Sequence, residues 1–342
     1  MAAGTDQALG PHNRLDMTPE SPMVLLTGAS SQIGVFAIPR LLAAGFRVLA
    51  VNRKGKPPTY PEYAQVTWLN EVDALEASAC CQYLLSAGPL ELARRFLTTR
   101  RNGFSADLSR GPFSSPEEVG DKPNQGEPYQ SAVIFSSSSV ETKQESANQA
   151  ERSQVQDMLT LESELQSLAQ TMDIKLVIFR PTLIYGCGLD TNVTRLAKWI
   201  SRFGFMPLNG QAKGLRQPVH ADDLASIAVS ALLSHEALPP VLTLCGGETL
   251  SYLDMVTRIF ETLDKRARLL HLPQWLFVAL VRLANFLQFS GGINIEMVRR
   301  QAIDLVFDDQ LARQLLDYAP RKFTLKTEDL SLPVQVSEYS QS

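Results

Sequence analysis

The chain has 342 residues, 44% hydrophobic and 20% charged, enough for a large core and one or two domains. A net charge of −4 argues against general nucleic-acid binding. Four cysteines, Cys80, Cys81, Cys187 and Cys245, show neither metal-ligand spacing nor a disulfide framework, so no metal is expected and a reducing, cytoplasmic compartment is.

Residues 1–21 are polar and lack the apolar core of a signal peptide, so they read as a flexible leader. Met23–Leu26 is a short apolar run that reads as a buried parallel strand. Thr27 and Gly28 break it, and a helix from Val35 to Ala44 follows, stopped by Gly45. Phe46–Val51 is a second strand, so the stretch is a βαβ unit. Its turn, with Gly28, Ser30, Ser31, Gln32, Ile33 and Gly34, leaves backbone N–H groups at a helix N-terminus, where a dinucleotide pyrophosphate fits. The second strand ends in Asn52-Arg53-Lys54. An acidic side chain there would bind the ribose 2′-hydroxyl of NAD and repel a 2′-phosphate. Asn52 with two cations favours NADP, NAD remaining open; the alternative is that Arg53 and Lys54 are a solvated loop.

Thr27 to Gly34 resembles the Thr-Gly-x-x-Gly-x-x-Gly fingerprint of the extended short-chain dehydrogenases/reductases, the NAD-dependent epimerase/dehydratase family, with Ser31 in place of the middle glycine. The resemblance implies an α/β fold, a doubly wound parallel Rossmann sheet with a small C-terminal substrate lobe. Ser31 would either hydrogen-bond the pyrophosphate or loosen its fit.

Val66–Leu69 reads as the third strand, and Glu71-Val72 falls where the family has an acidic-apolar pair beside the adenine. Cys80–Leu85 reads as the fourth, with both cysteines in the core. Ser86, Ala87 and Gly88 match the family's small-residue turn on the cofactor, and Pro89–Leu97 reads as a short helix. Residues 98–130 are rich in Ser, Gly, Pro and charge without an apolar period, and read as a disordered or poorly ordered insertion, a substrate lid being the lesser option, in a Rossmann core spanning 22–185. Ala132–Phe135 is the fifth strand, running into four serines. The resemblance puts Ser136 at the cofactor and makes Ser138 the hydroxyl that orients the reacting oxygen. Ser139 is the next candidate; from the residues alone a serine-capped helix start or turn is the better reading, and the position after this strand makes the two equal.

The family's chemistry needs a Tyr and a Lys four apart on the next helix, where the Lys lowers the tyrosine pKa and the Tyr moves the proton. The helix is present, with an apolar stripe of Val155, Met158, Leu159, Leu165, Leu168 and Met172, but the pair is not. No tyrosine lies between Tyr129 and Tyr185, and the only lysine between Ser139 and Met172 is Lys143. Two readings follow. Either Lys143, Glu151 or a water carries the proton, Lys143 being the catalytic candidate, or the dinucleotide site persists in a catalytically inactive sensor or assembly protein.

Ile174–Phe179 is the sixth strand, and Arg180-Pro-Thr-Leu-Ile-Tyr-Gly186 resembles the family's Arg-Pro-x-x-x-Tyr-Gly segment, which implies a cofactor contact at Pro181. Residues 186–330 then form the substrate lobe, interleaved with the remaining Rossmann elements. The resemblance assigns Asn192 and Arg216 to a substrate diphosphate, with a helix Arg195–Phe205 between them. His220 and Asp223 read as structural, capping a helix Asp223–Leu233. Leu242–Gly247 is a strand and turn, and Ser251 caps a helix Tyr252–Leu263. Trp275–Phe289, interrupted by Arg282 and Asn285, reads as a packed amphipathic helix, with peripheral membrane contact a lesser option; no run is long enough to span a membrane. Residues 331–342 read as a flexible tail. The implied function is an NAD(P)-dependent epimerase, dehydratase or reductase of a nucleotide-linked sugar, with a homodimer as the family habit.

Overall fold

The computed structural model describes residues 21–57, 60–102, 129–286 and 295–332. The expected leader and tail, and residues 103–128 of the expected insertion, lie almost wholly or wholly outside them.

Apolar runs with glycine punctuation build the first half. Strand β1 (Met23–Thr27), helix α1 (Gln32–Ala43), β2 (Arg47–Val51), β3 (Val66–Leu69), α2 (Glu71–Ala77), β4 (Tyr83–Ser86) and α3 (Leu90–Asn102) follow in order. After residues 103–128 come β5 (Ser131–Phe135), α4 (Ser139–Thr142), α5 (Gln149–Thr171) and β6 (Lys175–Pro181). The second half contains β7 (Ile184–Tyr185), α6 (Val193–Phe203), β8 (Met206–Asn209), β9 (Leu215–Arg216), β10 (Val219–His220), α7 (Ala221–Leu233) and β11 (Val241–Leu244). It ends with β12 (Leu250–Ser251), α8 (Tyr252–Thr262), β13 (Leu269–Leu272), α9 (Gln274–Phe286), α10 (Ile295–Arg300) and α11 (Gln310–Leu316).

Seven strands make one sheet in the order β3-β2-β1-β4-β5-β6-β11, and every pairing in it is parallel. Val24, Leu25 and Leu26 are fully buried, because helices cover both faces. Helices α1 and α7 pack together on one face, α3 and α5 on the other. Strand order reverses between β1 and β4, and ligands of such sheets bind in the crevice outside the carboxyl ends at that point. A separate apolar cluster, containing Val193, Ile200, Met206, Val256 and Phe260, forms the core beneath the second half.

Two expectations need correction. Cys80 closes a 3-10 turn, Ser78–Cys80, and is exposed; only Cys81 is buried, so the fourth strand starts at Tyr83. Helix α3 does not stop at Leu97 but continues to Asn102, because Arg100 holds the next buried position. Its guanidinium donates to the carbonyls of Ser78 (2.5 Å) and Cys81 (3.0 Å) and lies 4.6 Å from the centre of the Tyr129 ring. A buried arginine reads as the end of an apolar period, so the pattern underestimated the helix.

The α1–α7 seam also carries charge. Arg40 of α1 donates to Asp222 of α7 at 2.7 Å, and Arg321 reaches the other oxygen of the same carboxylate at 2.7 Å. Burial alone would raise the Asp222 pKa, but the hydrogen bonds and charges of the two arginines outweigh it and hold the carboxyl below its usual value. A depressed folded-state pKa contributes stability that is complete above the unfolded value and is lost as pH falls through the folded one. We expect the melting temperature to drop as pH falls below about 4. Asp222→Asn should lower it at neutral pH and flatten that acid limb. Identical acid limbs for the two proteins in thermal melts would show that Asp222 is not the linked group.

Candidate functional site

The crevice is built around Gly28. Its φ is +66°, and a Cβ there would lie 2.4 Å from the carbonyl oxygen of Ala87 and 2.6 Å from the amide nitrogen of Gly88. The turns after β1 and β4 are thus in backbone contact. Gly34 allows the next close approach, since its Cβ would lie 2.3 Å from the Gly28 carbonyl oxygen. Ser31 is the N-cap of α1, with φ −74° and ψ 168°, so it needs no positive φ. Its hydroxyl accepts from the Gly34 amide at 3.1 Å. The serine that replaces the fingerprint's middle glycine is spent inside the protein, and the first-turn amides of Gln32 and Ile33 are left to be partnered from outside the helix. The side-chain oxygen of Gln32 is buried without a partner.

At the end of β2, Asn52 accepts from the Ser30 hydroxyl at 3.2 Å and donates to the Gly55 carbonyl at 2.6 Å. It holds the turn, while Arg53 and Lys54 are exposed beside it. Val72 is 61% exposed, and Glu71 is ion-paired with Arg95 at 2.5 Å.

Two serines carried over as cofactor contacts are committed elsewhere. Ser86 is fully buried and accepts from the Thr27 hydroxyl at 2.8 Å, which ties β4 to β1. Ser136 donates its hydroxyl to Glu162 at 2.5 Å. Glu162 is 2% exposed on α5 and also accepts from Arg180 at 2.5 Å. The Ser136 and Ser138 amides donate to the carbonyls of Phe179 and Pro181, so the serine run is laced to the end of β6. Ser138 is 7% exposed and stands at the N-cap position of α4 without a side-chain cap bond, while the Ser137 hydroxyl accepts from the Ser139 amide at 3.1 Å, so the serine run also starts a helix.

Helix α5 contains neither tyrosine nor lysine, as the sequence required. What stands near its start is a cluster. Lys143, at the end of α4, is half-buried; burial and the neighbouring Arg300 push its ammonium below the usual lysine value, against the opposing charge of Glu151. Glu151 is ion-paired with Arg300 and accepts from the Ser146 hydroxyl at 2.7 Å. The Glu151–Arg300 pair links α5 of the sheet half to α10 of the second half.

Arg216 is not the open fork the resemblance implied. It is 5% exposed and donates to three carbonyls, those of Leu215 (2.6 Å), Ile303 (2.8 Å) and Arg300 (2.5 Å). Asn192 is exposed as the N-cap of α6, makes no side-chain cap bond, and donates its amide to Asp190 at 3.0 Å. His220 is structural: its Nδ1 accepts from the Asp222 amide at 3.0 Å, so the proton sits on Nε2, 3.1 Å from Asp329. Tyr185 packs edge-on against the same imidazole and is fully buried.

Sequence reasoning missed Arg300 and Glu162. Glu162 had a legible signal, an acid on an otherwise apolar helix stripe. Arg300 had none, because only the fold brings α10 to α5.

No protein-family model matches the chain. A UDP-glucose 4-epimerase of Vibrio cholerae is 28% identical over 116 residues, 34% of this chain and 35% of that protein, so the match spans about a third of its length. Solved structures match far more of the chain. The UDP-glucuronic acid 4-epimerase of Bacillus cereus, in complex with NAD, superposes with a TM-score of 0.63 at 15% identity, covering 91% of this chain and 97% of that one. An epimerase of Methanothermobacter thermautotrophicus gives 0.61 at 15% identity over 91% and 90%. The UDP-N-acetylglucosamine 4-epimerase of Bacillus cereus gives 0.59 at 11% identity over 91% and 98%. With its seven-stranded parallel sheet and its glycine turn locked against Ala87, the chain has the same α/β fold as these solved epimerase structures.

Proposed function

We propose that the crevice binds a nicotinamide dinucleotide and presents to it a nucleotide-linked sugar, in an epimerase, dehydratase or reductase reaction. The backbone contact of Gly28 with Ala87 and Gly88 carries this reading, because it keeps the crevice clear of side chains where a pyrophosphate would approach. Gln32 and Ile33 supply amides to that phosphate, Gly34 lets α1 approach, and the region of Pro181 faces the nicotinamide end. When bound, the nicotinamide supplies hydride exchange with a sugar carbon. Ser138 orients the reacting oxygen, and Lys143, with its lowered pKa, holds or takes the proton that a tyrosine would otherwise carry. Asn192 lies at the substrate's phosphates, and Arg216 acts indirectly, fixing through a carbonyl bond the segment that bears Arg300.

The missing Tyr-Lys pair favours a second reading, a protein that binds the dinucleotide without catalysis. Fluorescence titration with NADH and NADPH, followed by UDP-sugars and a turnover assay, separates the two. Cofactor binding with turnover supports the enzyme; cofactor binding with no sugar-nucleotide response supports the second reading; no cofactor binding removes both.

The dinucleotide bound by the Bacillus cereus enzyme is NAD, whereas exposed Arg53 beside Asn52 suits a 2′-phosphate, so the NADP preference is a proposal about this chain. Arg53→Asp is expected to weaken NADPH at least about tenfold, roughly 1.4 kcal/mol, and to leave NADH unchanged. Unchanged NADPH affinity would assign the site to NAD.

A further inference from the structure

Charge in this chain is segregated along the sequence. No acidic residue occurs between Asp190 and Asp222, nor between Asp264 and Glu296. All 36 Asp and Glu lie outside these two segments, which hold nine of the 32 Lys and Arg. The fold joins the two segments. Strands β8 and β13 pair in parallel with Met206 opposite Leu269, and the Met206 amide donates to the Arg268 carbonyl at 2.9 Å. Lys265 donates to the Ser201 carbonyl at 3.0 Å, and α9 leaves β13 directly after Pro273 and packs on β8.

The surface along this seam is both cationic and apolar. Lys198, Arg202, Lys265, Arg266 and Arg268 are exposed on it, and Arg282 is exposed on α9. Among them project Phe203 at 47% exposure, Leu270 at 48% and Trp275 at 72%. Phe203 is held by Trp199, ring centres 4.3 Å apart, with the Arg202 guanidinium 5.4 Å from the centre of its ring. A cavity of about 400 Å³, bordered by Lys198, Ser201, Arg202 and Leu263, opens beside α6 with room for a phosphate headgroup.

We propose that this face docks reversibly on an anionic lipid bilayer. The cations would pair with lipid phosphates while Phe203, Leu270 and Trp275 enter the headgroup region, as interfacial aromatic and apolar side chains do. The two segments carry no carboxylate, although exposed Asp264 borders Lys265, so the exposed cations along the seam give this face its attraction to an anionic membrane. No helix among the described residues is long and apolar enough to cross a membrane, so the contact is a surface one. A basic surface alone would also suit an anionic polymer; the exposed apolar side chains between the cations are what select a bilayer.

The test is flotation of the full chain with vesicles of phosphatidylcholine alone or mixed with phosphatidylglycerol, at low and high salt. The expected result is flotation with the anionic vesicles only, reversed by salt. Lys198→Glu, Arg202→Glu and Arg268→Glu combined should weaken binding at least about tenfold without lowering the melting temperature. Trp275→Ser should weaken it severalfold. Arg101→Glu on α3, an exposed cation outside the face, should leave it unchanged. Absence of flotation with anionic vesicles at low salt would overturn the proposal. Binding of RNA in place of vesicles would do the same. So would a dimer in solution that the triple substitution dissolves, which would give the face to a second copy of this chain.

Discussion

Glu162→Ala is expected to destabilise the protein by about 3–5 kcal/mol, the range found when one partner of a buried ion pair is removed. Glu162 is 2% exposed and serves two groups at once, the Arg180 guanidinium and the Ser136 hydroxyl, each at 2.5 Å. Its loss leaves a half-buried cation whose other acidic neighbour, Glu141, lies 3.3 Å away on the surface side. The damage should spread to the site, because the residues flanking Arg180 provide the carbonyls that accept the Ser136 and Ser138 amides. Glu162→Gln retains the shape and one acceptor and should cost about half as much. Chemical denaturation of the three proteins measures this directly. A loss below about 1 kcal/mol for alanine would show that Glu141 alone satisfies Arg180.

Gly28→Val should have the largest effect on ligand binding. The residue has φ +66°, a region that β-branched side chains rarely adopt, and the added Cβ would meet backbone rather than a movable side chain, 2.4 Å from the Ala87 oxygen. The strain is on the order of 1–3 kcal/mol before the overlap is counted. The turns after β1 and β4 must separate to relieve it, and dinucleotide affinity is expected to fall on the order of 100-fold. Ser31→Gly is the informative companion. It removes a cap that glycine replaces at a cost of only a few tenths of a kcal/mol, so it should leave affinity nearly unchanged. A large gain in affinity for Ser31→Gly would mean that the serine does obstruct the pyrophosphate. Unchanged affinity for Gly28→Val would remove the crevice as the dinucleotide site.

The strands of the sheet and the glycine turn between β1 and α1 were legible because they are local: short apolar runs, glycine where φ is positive, serine where a helix begins. The absence of the Tyr-Lys pair was equally legible, since a residue type missing from a helix needs no coordinates. Reading failed where a polar side chain takes a buried place. Arg100 extends α3 by capping carbonyls from a distant turn, and the apolar period that marks a helix cannot register it. The hydroxyls of Ser86 and Ser136 and the guanidinium of Arg216 have the right chemistry for ligands, and their motif positions pointed that way. Their donors and acceptors are instead satisfied by Thr27, Glu162 and the carbonyls around Arg300. Partner choice for a buried polar group depends on what the fold places within about 3 Å, and sequence spacing carries no such information. The same holds for the basic face. The sequence by itself determined that two segments lack acids and that one of them is rich in apolar residues. The pairing of β8 with β13 decided that these segments form one surface, because parallel strands join residues by backbone hydrogen bonds regardless of how far apart they lie along the chain.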